Sequence, residues 1–138
     1  MSKTIIKPSL ENWVKLRHEC SPFKIFVELQ TGIEKDLEAR KGLLKTTDPV
    51  KFTLEARDNF FTVTREFTDN LADVHSMWVQ FAWDKTGITV KINGAKNLQK
   101  ATLTLTDDAE CKLKLEGGEE LSCLQFRKRF LEDIFFNF

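Results

Sequence analysis

Residues 77–94 read MWVQFAWDKTGITVKING, and this stretch decides the fold. Apolar side chains recur at every second position over residues 77–83 and again over residues 88–92. Because successive side chains of a strand point to opposite faces, this alternation predicts two strands, each with one apolar and one polar face. Gly87 lies between them, where its freedom to adopt positive φ suits a turn. The stretch therefore predicts an antiparallel hairpin with one face on a core.

The same alternation extends on both sides of this hairpin. It recurs over residues 52–57, 61–67, 102–106 and 111–115. The polar residues 68–76 are predicted to connect two of these strands, and the pair Gly117-Gly118 is predicted to end the sheet. Together the runs predict an antiparallel meander of five to seven strands between about residues 50 and 116.

The residues before the sheet indicate helices. Apolar spacing predicts one helix over Leu10–Glu19 and another over about Gly32–Leu44, where acidic residues (Glu34, Asp36, Glu38) fall in the predicted first turns. Residues 22–30 follow a start signal, Ser21-Pro22, but fit both a helical stripe and an alternating strand. A helix is favoured there, and a strand stays open as the alternative.

The chain ends in the best-defined helix. Ser122 followed by Gln125 matches a capping box, and apolar residues then recur at a spacing of three to four from Phe126 to Phe135. The apolar face of the sheet must be covered, and the helices are the elements that can cover it. The predicted fold is α+β, with N-terminal helices, the meander sheet, and an amphipathic C-terminal helix packed on the sheet.

Composition limits the class of protein. The 138 residues predict a single α+β domain over 1–138, and 21 basic residues balance 21 acidic ones, which makes nucleic acid an unlikely partner. No apolar run approaches the roughly 20 residues that span a bilayer, so no membrane contact is predicted. The start of the chain does not match a secretion signal. Three cysteines without paired spacing predict reduced thiols and a cytoplasmic location.

No pattern of reactive residues predicts chemistry. His18 and Cys20 have a spacing that suits no common zinc site, and no Gly-x-Ser-x-Gly or phosphate-binding glycine motif is present. Free cysteines are among the most buried residue types, so Cys111 and Cys123 are expected to act as small core residues. The sequence therefore predicts no catalytic, metal or cofactor site, and it favours a non-enzymatic protein.

Four aromatic residues are candidates for a partner surface, because they fall outside the apolar phase of their strands or at the chain end. They are Phe60, Trp78, Phe136 and Phe138. Exposed aromatic rings commonly mark protein interfaces. The alternative, that other elements cover these rings, stays open. A second candidate surface is the basic patch Arg127, Lys128 and Arg129, which also fits the solvated face of an amphipathic helix.

The sequence thus predicts a non-enzymatic protein-binding module, such as an adaptor, an inhibitor or a toxin-neutralising immunity-type protein. The alternative is a binder of a small apolar ligand. The order of elements is similar to that of helix-grip folds, which hold apolar ligands between a curved sheet and a C-terminal helix. In this chain such a cavity would be lined by Phe52, Phe61, Phe81, Trp83, Phe126 and Phe130.

Overall fold

The computed structural model describes residues 12–138. The helices are α1 (Trp13–Glu19), α2 (Pro22–Gly42) and α3 (Cys123–Phe136), and the strands are β1 (Val50–Ala56), β2 (Phe60–Thr68), β3 (Val74–Asp84), β4 (Gly87–Ile92), β5 (Gln99–Leu105), β6 (Cys111–Leu115) and β7 (Glu120–Leu121). The seven strands form one sheet in sequence order, each antiparallel to the next. The predicted α+β fold with a meander sheet between helices is confirmed.

The hairpin of β3 and β4 forms as predicted. Phe81 pairs with Val90 and Trp83 with Ile88, so the apolar residues of both strands share one face. Gly87 is required at the turn because a Cβ there would lie 2.1 Å from the carbonyl oxygen of Ala101 on β5. The alternation of residues 77–94 therefore sets both the pairing and the face that is buried.

Helices α2 and α3 cover this apolar face. Ile33 of α2 and Phe126 of α3 are fully buried, and both belong to one continuous core cluster with the inward residues of the sheet. Phe61 and Phe81 stack at 5.1 Å between ring centroids in the middle of this cluster. The opposite face of the sheet, called the open face below, carries the other phase of each strand, including Thr64, which is half-buried.

The helix predicted over about Gly32–Leu44 is confirmed as far as Gly42, but its predicted start is wrong, because α2 runs without a break from Pro22 to Gly42. Residues 22–30 are confirmed as helix and not strand. Leu29, Ile33 and Leu37 bury one uninterrupted stripe, which carries the helix through the predicted boundary. The predicted first-turn acids Glu34, Asp36 and Glu38 consequently lie in the middle of the helix, and its first turn holds no acidic residue.

Two predicted boundaries of strands also change. The connection predicted over residues 68–76 shortens to 69–73, where the Asp69 carboxylate accepts backbone hydrogen bonds from Leu71 and Asp73. Gly117-Gly118 turns the chain into β7 and does not end the sheet. The described part of the helix predicted over Leu10–Glu19 is α1, and the predicted start of that helix lies outside the described residues.

Arg65 occupies an inward position on β2 that the sequence pattern assigned to the apolar phase. It is the buried charged residue among residues 12–138, with 9% of its surface exposed. Its Nη1 donates to the carbonyl oxygens of Asp133 at 3.0 Å, Ile134 at 3.1 Å and Asn137 at 3.3 Å. These groups end α3, where the last backbone carbonyls lack partners within the helix, although that of Asp133 also accepts from the backbone N–H of Asn137 at 3.0 Å. Arg65 therefore closes the C-terminus of α3 and complements the negative end of its dipole.

A second arginine reaches the same helix end from α2. The Nε of Arg40 donates to the carbonyl oxygen of Phe135 at 2.8 Å. Its guanidinium also lies 5.0 Å from the ring centroids of Phe52 and of Phe136. Cation–π contacts of this kind add to the hydrogen bond. The end of α3 is thus held to the sheet by Arg65 and to the neighbouring helix by Arg40.

The prediction of reduced thiols is wrong for two of the three cysteines. Cys20, in the turn between α1 and α2, forms a disulfide with Cys111 at the start of β6, 91 residues away. Cys123 is the free cysteine. The spacing in the sequence gave no sign of this pair, because the two residues meet only when α2 is laid across the sheet. Disulfides persist mainly in oxidising compartments, so the pair removes the reduced-thiol argument for a cytoplasmic location, which stays an untested prediction.

Replacing Arg65 tests its role at the end of α3. Arg65→Met removes the donor and leaves buried carbonyl groups without a partner, so we expect the free energy of unfolding in urea to fall by about 2–3 kcal/mol. The control is Arg57→Met, because Arg57 is exposed and its nearest acidic partner, Glu55, is 3.8 Å away. Equal stability of the two variants would contradict the proposed role of Arg65.

The disulfide is tested by counting thiols and by reduction. The purified, air-equilibrated chain should show one thiol per molecule after denaturation, that of Cys123. Reduction should lower the free energy of unfolding by about 3 kcal/mol, because the cross-link closes a long loop in the unfolded chain. A count of three thiols in the untreated protein would refute the pairing of Cys20 with Cys111.

Candidate functional site

The two long helices lie side by side and run in the same direction. Nε of Arg127 on α3 is 2.8 Å from Oδ2 of Asp36 on α2, and Arg40 bonds Phe135 further along both helices. The contacting residues move towards the C-terminus on both helices together, so α2 and α3 run in the same direction. The C-terminal ends of α2 and α3 therefore lie at the same end of the helix layer.

Gly32 allows this close approach. A Cβ at Gly32 would lie 2.5 Å from Nη1 of Arg127, so the arginine side chain crosses α2 directly over the glycine. Beyond it, Arg127 forms an ion pair with Asp36 that is partly shielded from water, with 19% of the arginine side chain exposed. The pair fixes the spacing of the helices at this level.

A groove of about 330 Å³ follows the outer side of the helix pair, away from the sheet. We call it the helix groove, and its lining residues are Asp36, Ala39, Arg40, Leu43, Leu124, Arg127, Lys128, Leu131, Glu132, Phe135 and Phe136. Three large apolar side chains in it are more than half exposed: Leu43 at 68%, Leu124 at 64% and Phe136 at 59%. The helix groove is therefore a concave apolar surface that no other residue among 12–138 covers.

One side of the helix groove is a stripe of four residues on α3. Leu124, Lys128, Glu132 and Phe136 are spaced by four, so each lies about 40° further around the helix than the one before, and together they form a winding row that lines the groove. We call them the α3 stripe. Its two ends are apolar, and its middle carries one positive and one negative charge. The stripe combines apolar contact area with polar groups that can select an orientation.

The four aromatic candidates lie in three places. Phe136 belongs to the helix groove. Phe138 is half exposed and stacks on the Arg65 guanidinium at 4.4 Å, with its ring 5.4 Å from that of Phe67. Phe138 thus packs against Arg65, the residue that binds the C-terminal carbonyl groups of α3.

Phe60 and Trp78 lie on the open face of the sheet. Both are half-buried, and the ammonium of Lys91 is 5.9 Å from the Trp78 ring centroid. Phe60 pairs with Ala82, four residues from Trp78 along β3. At about 3.3 Å per residue the two rings are too far apart to touch. On the open face, Phe60 and Trp78 are therefore two separate aromatic side chains and do not form one patch.

The structure separates the members of the predicted basic patch. Arg127 turns inward to Asp36, and Arg129 makes two hydrogen bonds to Glu119, at 2.9 and 2.6 Å. The Arg129 guanidinium lowers the pKa of the Glu119 carboxyl from its ordinary value. Lys128 lies in the helix groove. Consecutive helical residues point about 100° apart, so three neighbours do not share a face.

The six residues of the predicted cavity pack against one another and their neighbours. Phe126 and Phe130 are 4.8 Å apart between ring centroids, and both lie within 6.4 Å of Phe81. Phe26 of α2 fits between Phe61 at 5.2 Å and Trp83 at 6.4 Å, while Phe52 meets Phe135 at 5.5 Å. Rings occupy the space between the sheet and α3, and the helix groove lies on the other side of α3.

Cys123 is not set up as a nucleophile. Burial, together with a hydrogen bond to the Glu28 side chain, raises the pKa of its thiol to about 12. Nucleophilic attack requires the thiolate, which is scarce at neutral pH when the pKa is this high. Of the two histidines, His75 bonds the Asp69 carboxylate at 2.8 Å on an exposed turn. These contacts give the reactive side chains structural roles.

Comparison of the chain with protein-family models, curated proteins and solved structures found no match. Across residues 12–138, no three His, Cys, Asp or Glu side chains come together in a way that would hold a metal ion. Within the same range, no helix combines the length and the apolar character needed to cross a membrane.

Most of the helix groove was missed from the sequence. Phe136, Arg127 and Lys128 were candidates from the sequence, and Leu124 was a further available signal, since it lies outside the phase of the buried residues of α3. Leu43 follows the last turn of α2, and nothing in the sequence around it indicates that its side chain lines a groove. The concavity itself depends on how close α2 and α3 approach, which sequence periodicity does not report.

The protected thiol of Cys123 is tested by alkylation. We expect iodoacetamide at pH 8 to modify native Cys123 at least about 100-fold more slowly than the same residue in the unfolded chain, because a high pKa suppresses the thiolate. Quenched samples analysed by peptide mass spectrometry give both rates. A native rate within about threefold of the unfolded rate would contradict the environment described for Cys123.

Proposed function

We propose that this chain is a non-enzymatic protein-binding module that takes an apolar segment of a protein into the helix groove. The observation that carries the proposal is the gathering of Leu43, Leu124 and Phe136, each more than half exposed, in one concave surface. Adaptors, inhibitors and immunity-type proteins are roles within this class.

Exposure of these side chains favours binding by a simple free-energy argument. Covering a large apolar side chain contributes about 1.5–3 kcal/mol. Interfaces take most of their affinity from a few such side chains in a central depression. A pair of parallel helices with an apolar groove between them is also a common receptor for an amphipathic helix.

The rim of the helix groove supplies selectivity. Arg40 and Lys128 contribute positive charge and Glu132 negative charge around the apolar floor. Interfaces typically have this arrangement of an apolar centre and a polar edge. A segment that enters the helix groove must match these charges as well as fill the space beside Leu124.

Site-specific cross-linking tests the proposal. A benzophenone amino acid in place of Leu43 should give a covalent protein adduct on irradiation in native lysate, and the attached partner peptide should be apolar. The same residue in place of Thr102, an exposed position on the open face, should give no such adduct. Adducts from both positions, or from Thr102 alone, would overturn the helix groove as the binding surface.

A charge placed in the helix groove gives a matched second test. In the Leu43-benzophenone protein, Leu124→Glu should reduce the adduct at least about tenfold, since binding would bury a carboxylate without a partner. The control is Leu98→Glu, because Leu98 is 55% exposed and lies outside the helix groove. Adduct formation unaffected by Leu124→Glu would contradict the proposal.

A further inference from the structure

Reading the α3 stripe backwards exchanges its two charges and leaves an apolar residue at each end. Lys128 and Glu132 are equally distant from its centre, and Leu124 and Phe136 are equally distant at its ends. In an antiparallel pair of such helices related by a two-fold axis, Lys128 of each copy faces Glu132 of the other. Leu124 of each copy then faces Phe136 of the other. The stripe is therefore complementary to itself in both charge and apolarity.

We infer that the protein that fills the helix groove is a second copy of this chain, docked through an antiparallel contact between the two α3 helices. The inference rests on the proposed function and names the partner. A two-fold contact uses the same patch on both subunits, and self-complementarity is what such a patch requires.

The helix groove accommodates the second α3 along its length. Because α2 and α3 are parallel, Leu43 and Phe136 lie together at the C-terminal end of the helix groove. An antiparallel neighbour brings its own Leu124 to this end, where it contacts both side chains. Each copy of α3 would then pack against both α3 and α2 of the other copy, which gives a two-layered bundle of four helices.

The geometry of the stripe agrees with known modes of helix packing. Residues spaced by four form a ridge, and such a ridge packs between the rows spaced by three on a neighbouring helix when the two axes cross at about 20°, as in four-helix bundles. The ridge from Leu124 to Phe136 is about 18 Å long at 1.5 Å per residue. A contact of this length is small compared with stable dimer interfaces, so the expected dimer dissociates readily on dilution.

Charge reversal tests the pairing of Lys128 with Glu132. Sedimentation velocity of the purified full chain, from about 10 µM to 1 mM, should show a reversible dimer at the micromolar end of the affinity range. Lys128→Glu and Glu132→Lys should each weaken dimerisation at least about tenfold, because like charges then face each other twice. Both positions are exposed, and circular dichroism checks that the fold is kept.

A mixture of the two single variants tests most directly whether Lys128 of one copy pairs with Glu132 of the other. One variant carries two negative stripe charges and the other two positive, so an equimolar mixture should form a heterodimer with affinity within about threefold of the wild-type dimer. The double variant Lys128→Glu/Glu132→Lys should dimerise with itself as the wild type does. A mere loss of folding in either variant would not be repaired by mixing.

The inference fails if the wild-type chain stays monomeric over the whole concentration range. It also fails if the single variants dimerise like the wild type, or if their mixture is no better than either alone. Its failure is separable from that of the proposed function. A monomer whose Leu43-benzophenone form still captures another protein in lysate overturns the second copy and retains the helix groove, whereas a monomer that captures nothing overturns both.

Discussion

The apolar face of the seven-stranded sheet has to be removed from water, and the rest of the structure depends on how α2 and α3 remove it. Two parallel helices cover the face, and their buried stripes merge with the inward side chains of the strands. The last turn of α3 then lies over the core, where its carbonyl groups need donors. Arg65 from the sheet and Arg40 from α2 supply them. The position of α3 is therefore fixed by packing along its length and by hydrogen bonds at its end.

The same arrangement creates the candidate site. Because Gly32 lets the Arg127 side chain cross α2 to Asp36, the helices are held together at one level and leave a groove along their outer side. Leu43 and Leu124 have no place in the core, since their phases point outward, and they remain in this groove. The helix groove thus arises because two helices cover the sheet, and it contains the most exposed apolar side chains of those helices.

Sequence periodicity predicted the fold and the capped start of α3, because both depend on short-range patterns. The alternation of residues 77–94 specifies strands and their buried face, and the pair Ser122 and Gln125 forms both hydrogen bonds of the predicted capping box.

The features that the sequence did not predict depend on residues that are close only in three dimensions. Arg65 breaks the apolar phase of β2 because it bonds residues about 70 positions later in the chain, and Cys20 meets Cys111 across a separation of 91 residues. The four aromatic candidates were predicted from their place in the strand alternation or at the chain end. Such a position indicates that a ring points away from the core, but it does not indicate that the rings lie next to one another. The helix groove joins residues of two helices, and no single pattern contains it.

We propose that the helix groove is the surface through which this chain binds protein, and that the α3 stripe makes it complementary to a second copy. The most direct measurement is a series of ¹H–¹⁵N correlation spectra of the purified chain at increasing concentration. The account predicts concentration-dependent shifts of the amides of Leu43, Leu124, Lys128 and Glu132, while those of Trp78 and Thr102 on the open face stay fixed. Shifts centred on Trp78, or spectra that do not change with concentration, would contradict it.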